Sequence, residues 1–323
     1  MRVCAVIVTY GNRFHLLEQV MDACYKEGVD KIIIVDNASE QNSRDKLKDY
    51  EIKNKERLKV IYLDENTGSA GGYKRGLEEA YNCKDCEYLL LLDDDNIIGE
   101  NFIIKLKKWY IKLNKKNNLN DFFVIQAYRN YAYINDFLNG YDYILHQSMY
   151  RGFDFFNTFR KRLFKKNKKE KVIFKKKVIE IPVAPYGGMF FNKKILNHVG
   201  FPKEELYLYA DDFEFSYRIS KKYKIYLVVD IVIRDIDVSW KEDNKKNKFL
   251  YHPFINDGNE LKTYYLFRNS DFFEHKVLNK KGIYFYFNRN IYFFLLLIIA
   301  LFNFKFRRIK TIIKAIFDAK DLK

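Results

Sequence analysis

Four short, nearly all-apolar runs fall within the first hundred residues, and each stops on polar side chains: VCAVIVTY (Val3–Tyr10), KIIIVDN (Lys31–Asn37), LKVIYLDEN (Leu58–Asn66) and EYLLLLDDD (Glu87–Asp95). Runs this short, β-branched or leucine-rich and without alternation, read as strands buried on both faces. Between them lie stretches with helical spacing. FHLLEQVMDACYKE sets Leu16, Leu17, Val20 and Cys24 on one face, and GGYKRGLEEAYN follows the third run. Strands alternating with helices of this length predict right-handed crossovers and a parallel α/β sheet. Ligands bind such sheets beyond the carboxyl ends of the strands. Thr9, Asp36, Asn66 and Asp93–Asp95 all fall there.

The remainder of the chain is long enough, at 323 residues, for one large domain or two modest ones. With 18% aromatic residues, only 14 Gly and 4 Pro, it reads as a packed protein without low-complexity linkers, and no internal repeat is visible. The formal charge of +16 is concentrated. Residues Asn157 to Lys177 hold eleven Lys or Arg against one Glu. Such a block is either a solvated loop or an attractor of anionic surfaces and pyrophosphates. Four cysteines are too few for a disulfide scaffold. The Cys83-Lys84-Asp85-Cys86 pair lacks a second pair at zinc spacing, so it reads as structural. The chain opens directly on a strand-like run, and the expectation is a reduced, cytoplasmic protein without a cleaved signal.

Residues 121–180 are aromatic and basic with weak periodicity. A second ordered block begins at VIEIPVAPYGGMFFNKKIL and continues through LYLYADDFEFSYRISKK, a helix opening on acid, to the strand KIYLVVDIVI. Near the C-terminus, IYFFLLLIIALF (Ile291–Phe302) lies in an uncharged stretch of fifteen residues between Arg289 and Lys305. A spanning helix needs about 20 apolar residues, so this segment reads as embedded in an interface or packed in a core. KFRRIKTIIKAIFDAK then aligns Phe306, Ile309, Ile312, Ile313, Ile316 and Phe317 on one helical face with Lys and Arg opposite. That pattern suits a helix lying on an anionic membrane, or an ordinary helix closing the domain.

The triplet Asp93-Asp94-Asp95 sets like charges side by side. Along a strand, Asp93 and Asp95 share a face and Asp94 points elsewhere. Two carboxylates a few ångströms apart are mutually destabilising unless a cation sits between them. Hard ions such as Mg²⁺ and Mn²⁺ take oxygen ligands of this kind together with a substrate pyrophosphate. The alternative is a polar turn in which Asp95 or Asn96 caps the next helix.

Five motifs in order, VIVTYGNR, IIIVDNAS, NTGSAGGYKRG, LLLLDDDN and YLYADDFEFSYR, resemble family 2 glycosyltransferases of the GT-A fold, most nearly the bacterial rhamnosyl- and galactofuranosyltransferases. The resemblance runs from Arg2 to about Asn269. It implies that Thr9, Tyr10, Arg13 and Asp36 hold the nucleotide, with Asp36 accepting from a uracil or thymine imide. It places Asn66, Gly71 and Gly72 at a loop where backbone N–H groups meet a diphosphate, with Arg75 as a further cation. Asp93 and Asp95 match the DXD motif as metal ligands, Asp93 and Asp94 also serving the substrate. Asp211, Asp212 and Glu214 match the segment holding the catalytic base, which is assigned to Asp212 with Asp211 on the acceptor and Glu214 in support. Gly187 and Gly188 match the small-residue segment beside donor sugar and acceptor.

Relatives commonly carry a histidine metal ligand after the strand that follows the base. Here the segment reads DIVIRDIDVSW, so Asp235 is the expected third ligand, with Asp237 or His252 as alternatives. Arg268, in YYLFRN, serves either the pyrophosphate or the packing. The expectation is therefore a metal-dependent (Mn²⁺ or Mg²⁺) inverting transferase moving rhamnose, galactofuranose or a related sugar. Its donor would be a UDP- or dTDP-sugar and its acceptor a polyprenyl-diphosphate-linked or other glycan at the inner face of the cytoplasmic membrane. The expected organisation is a mixed, mainly parallel GT-A domain over 1–270 (halves 1–120 and 181–270 around an insertion at 121–180) and a membrane-associating helical region over 271–323. The competing expectation, a nucleic-acid or anionic-surface binding protein, draws on Tyr128, Tyr131, Tyr133, Tyr150 and Phe153 beside the lysines. It leaves Asp93, Asp95, Asp211 and Asp212 without a use.

Overall fold

The computed structural model describes residues 1–130, 132–140, 142, 144–158, 177–237, 252–256 and 259–322. The basic block at 157–177 therefore lies almost wholly outside the described residues. The chain divides into two compact units, Met1–Leu138 with Phe174–Tyr207 and Asp211–Trp240, and Asn139–Ile173 with Leu208–Ala210 and Lys241–Lys323. The boundary expected at 270 falls inside a helix, Glu260–Phe272.

In the first unit the four apolar runs form β1 (Val3–Thr9), β2 (Lys31–Asn37), β3 (Leu58–Leu63) and β4 (Tyr88–Asp93). They pair in parallel in the order β3-β2-β1-β4, with Thr9 opposite Asp36 and Val8 opposite Asp93. This register brings the polar strand ends to one rim. Helices α1 (Phe14–Lys26), α2 (Gln41–Asn54) and α3 (Gly68–Asn82) connect them. On α1 the buried face is Phe14, Leu17, Val20, Met21 and Cys24, while Leu16, expected on it, is only half-buried. Helix α3 lies unusually close to the sheet: a Cβ on Gly72 would stand 2.6 Å from a Val8 methyl, and one on Gly76 2.5 Å from a Val6 methyl.

Beyond β4 the sheet becomes mixed. β5 (Asn96–Ile98), α4 (Phe102–Asn117), β6 (Phe123–Tyr128), α5 (Ala132–Leu138), β7 (Val178–Glu180), β8 (Met189–Asn192), α6 (Asp211–Ser220) and β9 (Lys224–Asp235) follow. β8 runs antiparallel between β4 and β6, and β6 runs parallel to β9. The far end of β9 pairs antiparallel with β5, Asp235 opposite Asn96. A register shift at Ala127/Tyr128 breaks the β6–β9 ladder just before Arg129, and bulges of this sort re-aim side chains near functional sites. The core is built from the strands' valines, isoleucines and leucines, most of them wholly buried.

The second unit is helical. α7 (Glu260–Phe272), α8 (Ile283–Phe302) and α9 (Phe306–Asp318) enclose Ile255, Phe267, Leu296, Ala300, Ile312 and Ala315. Helix α8 begins eight residues earlier than the apolar run at Ile291, so it takes in Arg289, which forks onto Asp271 at 2.9 and 3.1 Å. Of the six apolar residues expected along α9, Ile312 is buried, whereas Phe306, Ile313 and Phe317 are at least half exposed. Tyr150, one of the aromatics offered for base stacking, is fully buried and donates to Asp271 at 3.1 Å. It has no face to offer a base.

Candidate active site

The rim of the first unit's sheet gathers five aspartates around two arginines. β4 ends at Asp93, and a tight turn through Asp94 and Asp95 leads into β5. The turn, rather than strand alternation, aims these side chains. Asp94 is buried and turned back into the fold. Thr9 Oγ1 donates to its Oδ2 at 2.9 Å, and Arg13 Nε reaches both its oxygens at 3.0 and 2.9 Å. Burial raises the Asp94 carboxyl above the usual carboxylate range, and Arg13 and Thr9 oppose that shift. Arg13 continues to Asp237 at 2.7 Å and comes within 3.4 Å of Asp95. Burial works against its positive charge, but Asp94 and Asp237 outweigh it, and the guanidinium is held more firmly protonated than usual.

Arg129, just past the end of β6, fills the other half of the cluster. It is 6% exposed. Its Nη1 donates to Asp93 Oδ2 and its Nε to Asp235 Oδ1, both at 2.7 Å, and Nη2 stands 4.0 Å from Asp95 Oδ1. Asn96, wholly buried, stitches the same groups: its Nδ2 donates to Asp95 at 2.9 Å and Asp235 at 3.1 Å, and its Oδ1 accepts from the Asp93 N–H at 3.1 Å. Tyr73, from α3, adds a hydrogen bond to Asp93 Oδ1 at 2.9 Å. Asp95 is pushed up to about 7, first by burial and then by Asp93 and Asp94, against Arg129.

Gly187 forms the floor. A Cβ there would lie 2.2 Å from Asn96 Oδ1, 2.5 Å from Arg129 Nη1 and 3.0 Å from Asp93 Oδ2, so only glycine lets this backbone reach the cluster. Gly188, at φ +92°, turns the chain into β8 and would likewise clash with Gln126 and Ile233.

The second acidic segment opens α6. Asp211 is buried and accepts from Ser69 Oγ at 2.7 Å; burial lifts it to about 6, with the Ser69 bond opposing. Asp212 keeps partial access to solvent and takes one hydrogen bond from the Phe213 N–H. Its carboxyl is raised well above the ordinary range by burial, then by Asp211, with Asp93 contributing too. The two acidic segments therefore feel one another's charge. Glu214 is buried, bonded to Arg218 at 2.8 Å and 3.8 Å from Lys203; its contacts are those of a structural ion pair.

Other expected residues take different places. Asp36 is completely buried, with one oxygen accepting the Ser39 N–H at 3.0 Å and the other paired with Arg44 at 2.5 Å. Each oxygen thus takes one hydrogen bond from the chain itself, which fixes the side chain beneath the rim. Its neighbour Asn37 is the residue that reaches the glycine loop. Asn37 Oδ1 accepts from the Thr67 N–H at 2.8 Å, and its Nδ2 donates to the Gly68 carbonyl at 2.8 Å. Asn66 Oδ1 accepts the Gly68 N–H at 2.9 Å. Gly71 and Gly72 are buried against Thr67 and Val8, so their small size serves helix packing. Arg75 is more than half exposed and pairs with Glu78 at 3.5 Å. Tyr10 is exposed, with Arg13 5.5 Å from its ring centre. His252 and Arg268 belong to the second unit, where burial and Arg151 push His252 down to about 4 and Arg268 lies 4.7 Å from the centre of the Tyr265 ring.

The sequence reading missed Arg129, Asn37, Ser69 and Tyr73, and it named Asn96 only as a possible helix cap, whereas Asn96 opens β5. As donors, Asp93, Asp95 and Asp235 are the hard oxygens a Mn²⁺ or Mg²⁺ ion prefers, and all three turn toward one buried positive charge. Among the described residues no three His, Cys, Asp or Glu side chains close around a single point as they stand; the Arg129 guanidinium sets their spacing. The donor chemistry fits a divalent ion.

The family profile described as Glycosyl transferase family 2 matches residues 4–200. The chain belongs to this family. It is a glycosyltransferase, and its mixed sheet flanked by helices is a GT-A fold. Among solved structures, the Pyrobaculum calidifontis mannosyltransferase PcManGT in complex with GDP-Man and Mn²⁺ aligns over 100% of this chain and 76% of its own, at TM-score 0.52 and 14% identity. GalNAc-T7 with UDP, GalNAc and Mn²⁺ aligns over 87% and 53%, also at 0.52 and 14%. TarS of S. aureus aligns over 85% of this chain at TM-score 0.48 and 14% identity, and the match spans only 40% of TarS. A search of curated protein sequences finds no match. At 14% identity the PcManGT and GalNAc-T7 structures speak for the fold of this family 2 glycosyltransferase alone.

Proposed function

We propose that the chain transfers a sugar from a nucleoside diphosphate sugar to a hydroxyl acceptor with inversion, in a single displacement. The observation that carries this reading is the pairing of two acidic segments in one unit. Asp93, Asp95 and Asp235 converge on a buried cation, and Asp212, partly open to solvent, has a carboxyl raised in part by Asp93. The acceptor hydroxyl attacks the anomeric carbon, the nucleoside diphosphate leaves, and Asp212 takes the hydroxyl proton. A carboxyl lifted toward neutrality is a better base for that proton than an ordinary one. Asp93, Asp95 and Asp235 would hold a divalent ion, which supplies charge neutralisation for the departing diphosphate. The Mn²⁺ in the PcManGT and GalNAc-T7 structures supports manganese.

The motifs favour a UDP- or dTDP-sugar, with rhamnose, galactofuranose or a related sugar as the group moved. Thermal-shift titration with UDP-, dTDP- and GDP-sugars, each with and without Mn²⁺ or Mg²⁺, tests donor and metal together. One nucleotide sugar should stabilise the protein in a metal-dependent way. If none does at millimolar concentration, the reading is wrong.

A cytoplasmic protein held peripherally at an anionic membrane, acting on a lipid-linked glycan, is the setting that the second unit favours. Helix α8 is twenty residues long, with a mean hydropathy of 1.7 over its most apolar window, and only 22% of that window is buried. Phe294, Phe302, Phe304, Phe306 and Phe317 are all more than half exposed. Near α8's first turns, Lys276, Lys281, Arg289 and Lys320 line a cavity of about 660 Å³ whose single carboxylate is Asp271. Apolar side chains beside such a cationic recess match lipid tails beside phosphate headgroups. Flotation with vesicles of phosphatidylglycerol against phosphatidylcholine tests this: the protein should float with the first and lose that behaviour in 0.5 M salt. Equal flotation with both, or with neither, counts against it.

A further inference from the structure

We propose that Arg129 is a built-in counter-ion that competes with the divalent metal for Asp93, Asp95 and Asp235, and passes its guanidinium to the donor's diphosphate when metal and nucleotide bind together. The proposal rests on the metal-dependent transferase reading above. It starts from an asymmetry between the two arginines of the cluster. Arg13 binds Asp94 through three contacts and Asp237 through one, and it comes no nearer than 3.4 Å to a carboxylate assigned to the metal. Arg129 does the reverse. It donates at 2.7 Å to both Asp93 and Asp235, and its third nitrogen faces Asp95. One guanidinium fixes the turn, and the other stands where an ion would.

Charge makes that position conditional. Five carboxylates surround two guanidinium groups, so a divalent cation is electrostatically welcome even with both arginines in place. Space is what it lacks. A buried cation deprived of its carboxylates is destabilised, so metal alone must evict Arg129 at a penalty. A nucleoside diphosphate changes the balance, because its oxygens offer the planar, bidentate partner that a guanidinium prefers. Gly187 leaves the side that Nη1 faces free of a Cβ, 2.5 Å away. Metal and diphosphate should therefore bind cooperatively, and by linkage each raises the other's affinity by the same factor.

The experiment is Mn²⁺ binding to the full chain, read by the loss of the free-ion electron paramagnetic resonance signal beyond that of protein-free solutions of the same composition, with and without UDP or dTDP. In the wild type, the nucleoside diphosphate should tighten Mn²⁺ by at least about tenfold. Arg129→Gln should bind Mn²⁺ alone at least about tenfold more tightly than the wild type, and the nucleotide should add less than about threefold. Equal affinity for Mn²⁺ alone in both proteins overturns the role of Arg129. A wild type that binds no Mn²⁺ even with nucleotide overturns the metal reading itself, and the two failures are thereby distinct. Should Arg129→Gln not fold, Arg129→Lys is read in its place. It keeps the charge and loses the fork, so Mn²⁺ alone should stay weak while the coupling falls; wild-type coupling in that variant overturns the proposal.

Discussion

The Ser69 hydroxyl donates to Asp211 Oδ2 at 2.7 Å, joining the first turn of α3 to the first turn of α6. That bond opposes the burial that lifts Asp211 to about 6. An exposed aspartate titrates near 3.9. A carboxyl raised on folding favours the folded state in its protonated form, so this contribution is present below about pH 4 and lost as pH rises through about 6. Asp211→Asn, which still offers Ser69 an acceptor, should gain on the wild type by roughly 2–3 kcal/mol between pH 4 and pH 7. Ser69→Ala should make the wild-type decline steeper. Thermal melts across that pH range decide it; parallel curves for wild type and Asp211→Asn defeat the assignment.

Asp212 carries the second prediction. Its carboxyl is raised by burial, Asp211 and Asp93, and a base works only when charged. Transfer should therefore climb with pH through a pKa above the ordinary aspartate range. Asp212→Asn should lower kcat by about 10²–10⁴-fold with the circular dichroism spectrum unchanged. A folded Asp212→Asn enzyme with full turnover excludes this residue as the base.

What the sequence made legible, and what it hid, divides along physical lines. Buried strands advertise themselves through unbroken β-branched and leucine runs, and their polar ends mark the rim; Thr9, Asp93, Asp94 and Asp95 follow from that alone. Partners brought in by long-range pairing do not advertise themselves. Arg129 reaches the cluster because β6 lies alongside β9 and their ladder breaks register between Ala127 and Tyr128. Asn96 meets Asp235 because β5 pairs with the far end of β9. Asp36 looked like any carboxylate at a strand end, and nothing in IIIVDNAS discloses Arg44 on the next helix. Gly72 had a readable signal. Gly72 and Gly76 stand four residues apart, the spacing of one helix face laid close against a sheet.

Asp36 yields a prediction that separates recognition from support. The carboxylate is fully buried, and Arg44 pairs with it at 2.5 Å while remaining 20% exposed. Removing one partner of a buried ion pair strands the other and costs about 3–5 kcal/mol. Asp36→Ala should lower stability by that order in urea melts, while the folded fraction keeps its preference among UDP, dTDP and GDP. A variant of wild-type stability that no longer distinguishes the bases reverses the assignment to support.

Gly187 offers the most local test of the cluster's geometry. Adding one methyl group would place carbon 2.2 Å from Asn96 Oδ1 and 2.5 Å from Arg129 Nη1. Asn96 is wholly buried and bonded to three groups of the site, so it has little room to retreat. Overpacking of this kind costs about 1–3 kcal/mol. The larger effect should be on catalysis, since displacing Asp93 and Asp95 by about 1 Å can cost about 10²-fold. Gly99→Ala is the matched control, because nothing lies within 4 Å of a Cβ there; it should shift stability by no more than about 0.5 kcal/mol. Donor affinity and turnover measured on both variants check the claim. If Gly187→Ala behaves like Gly99→Ala, then the close approach of this backbone to the aspartates has no part in the reaction.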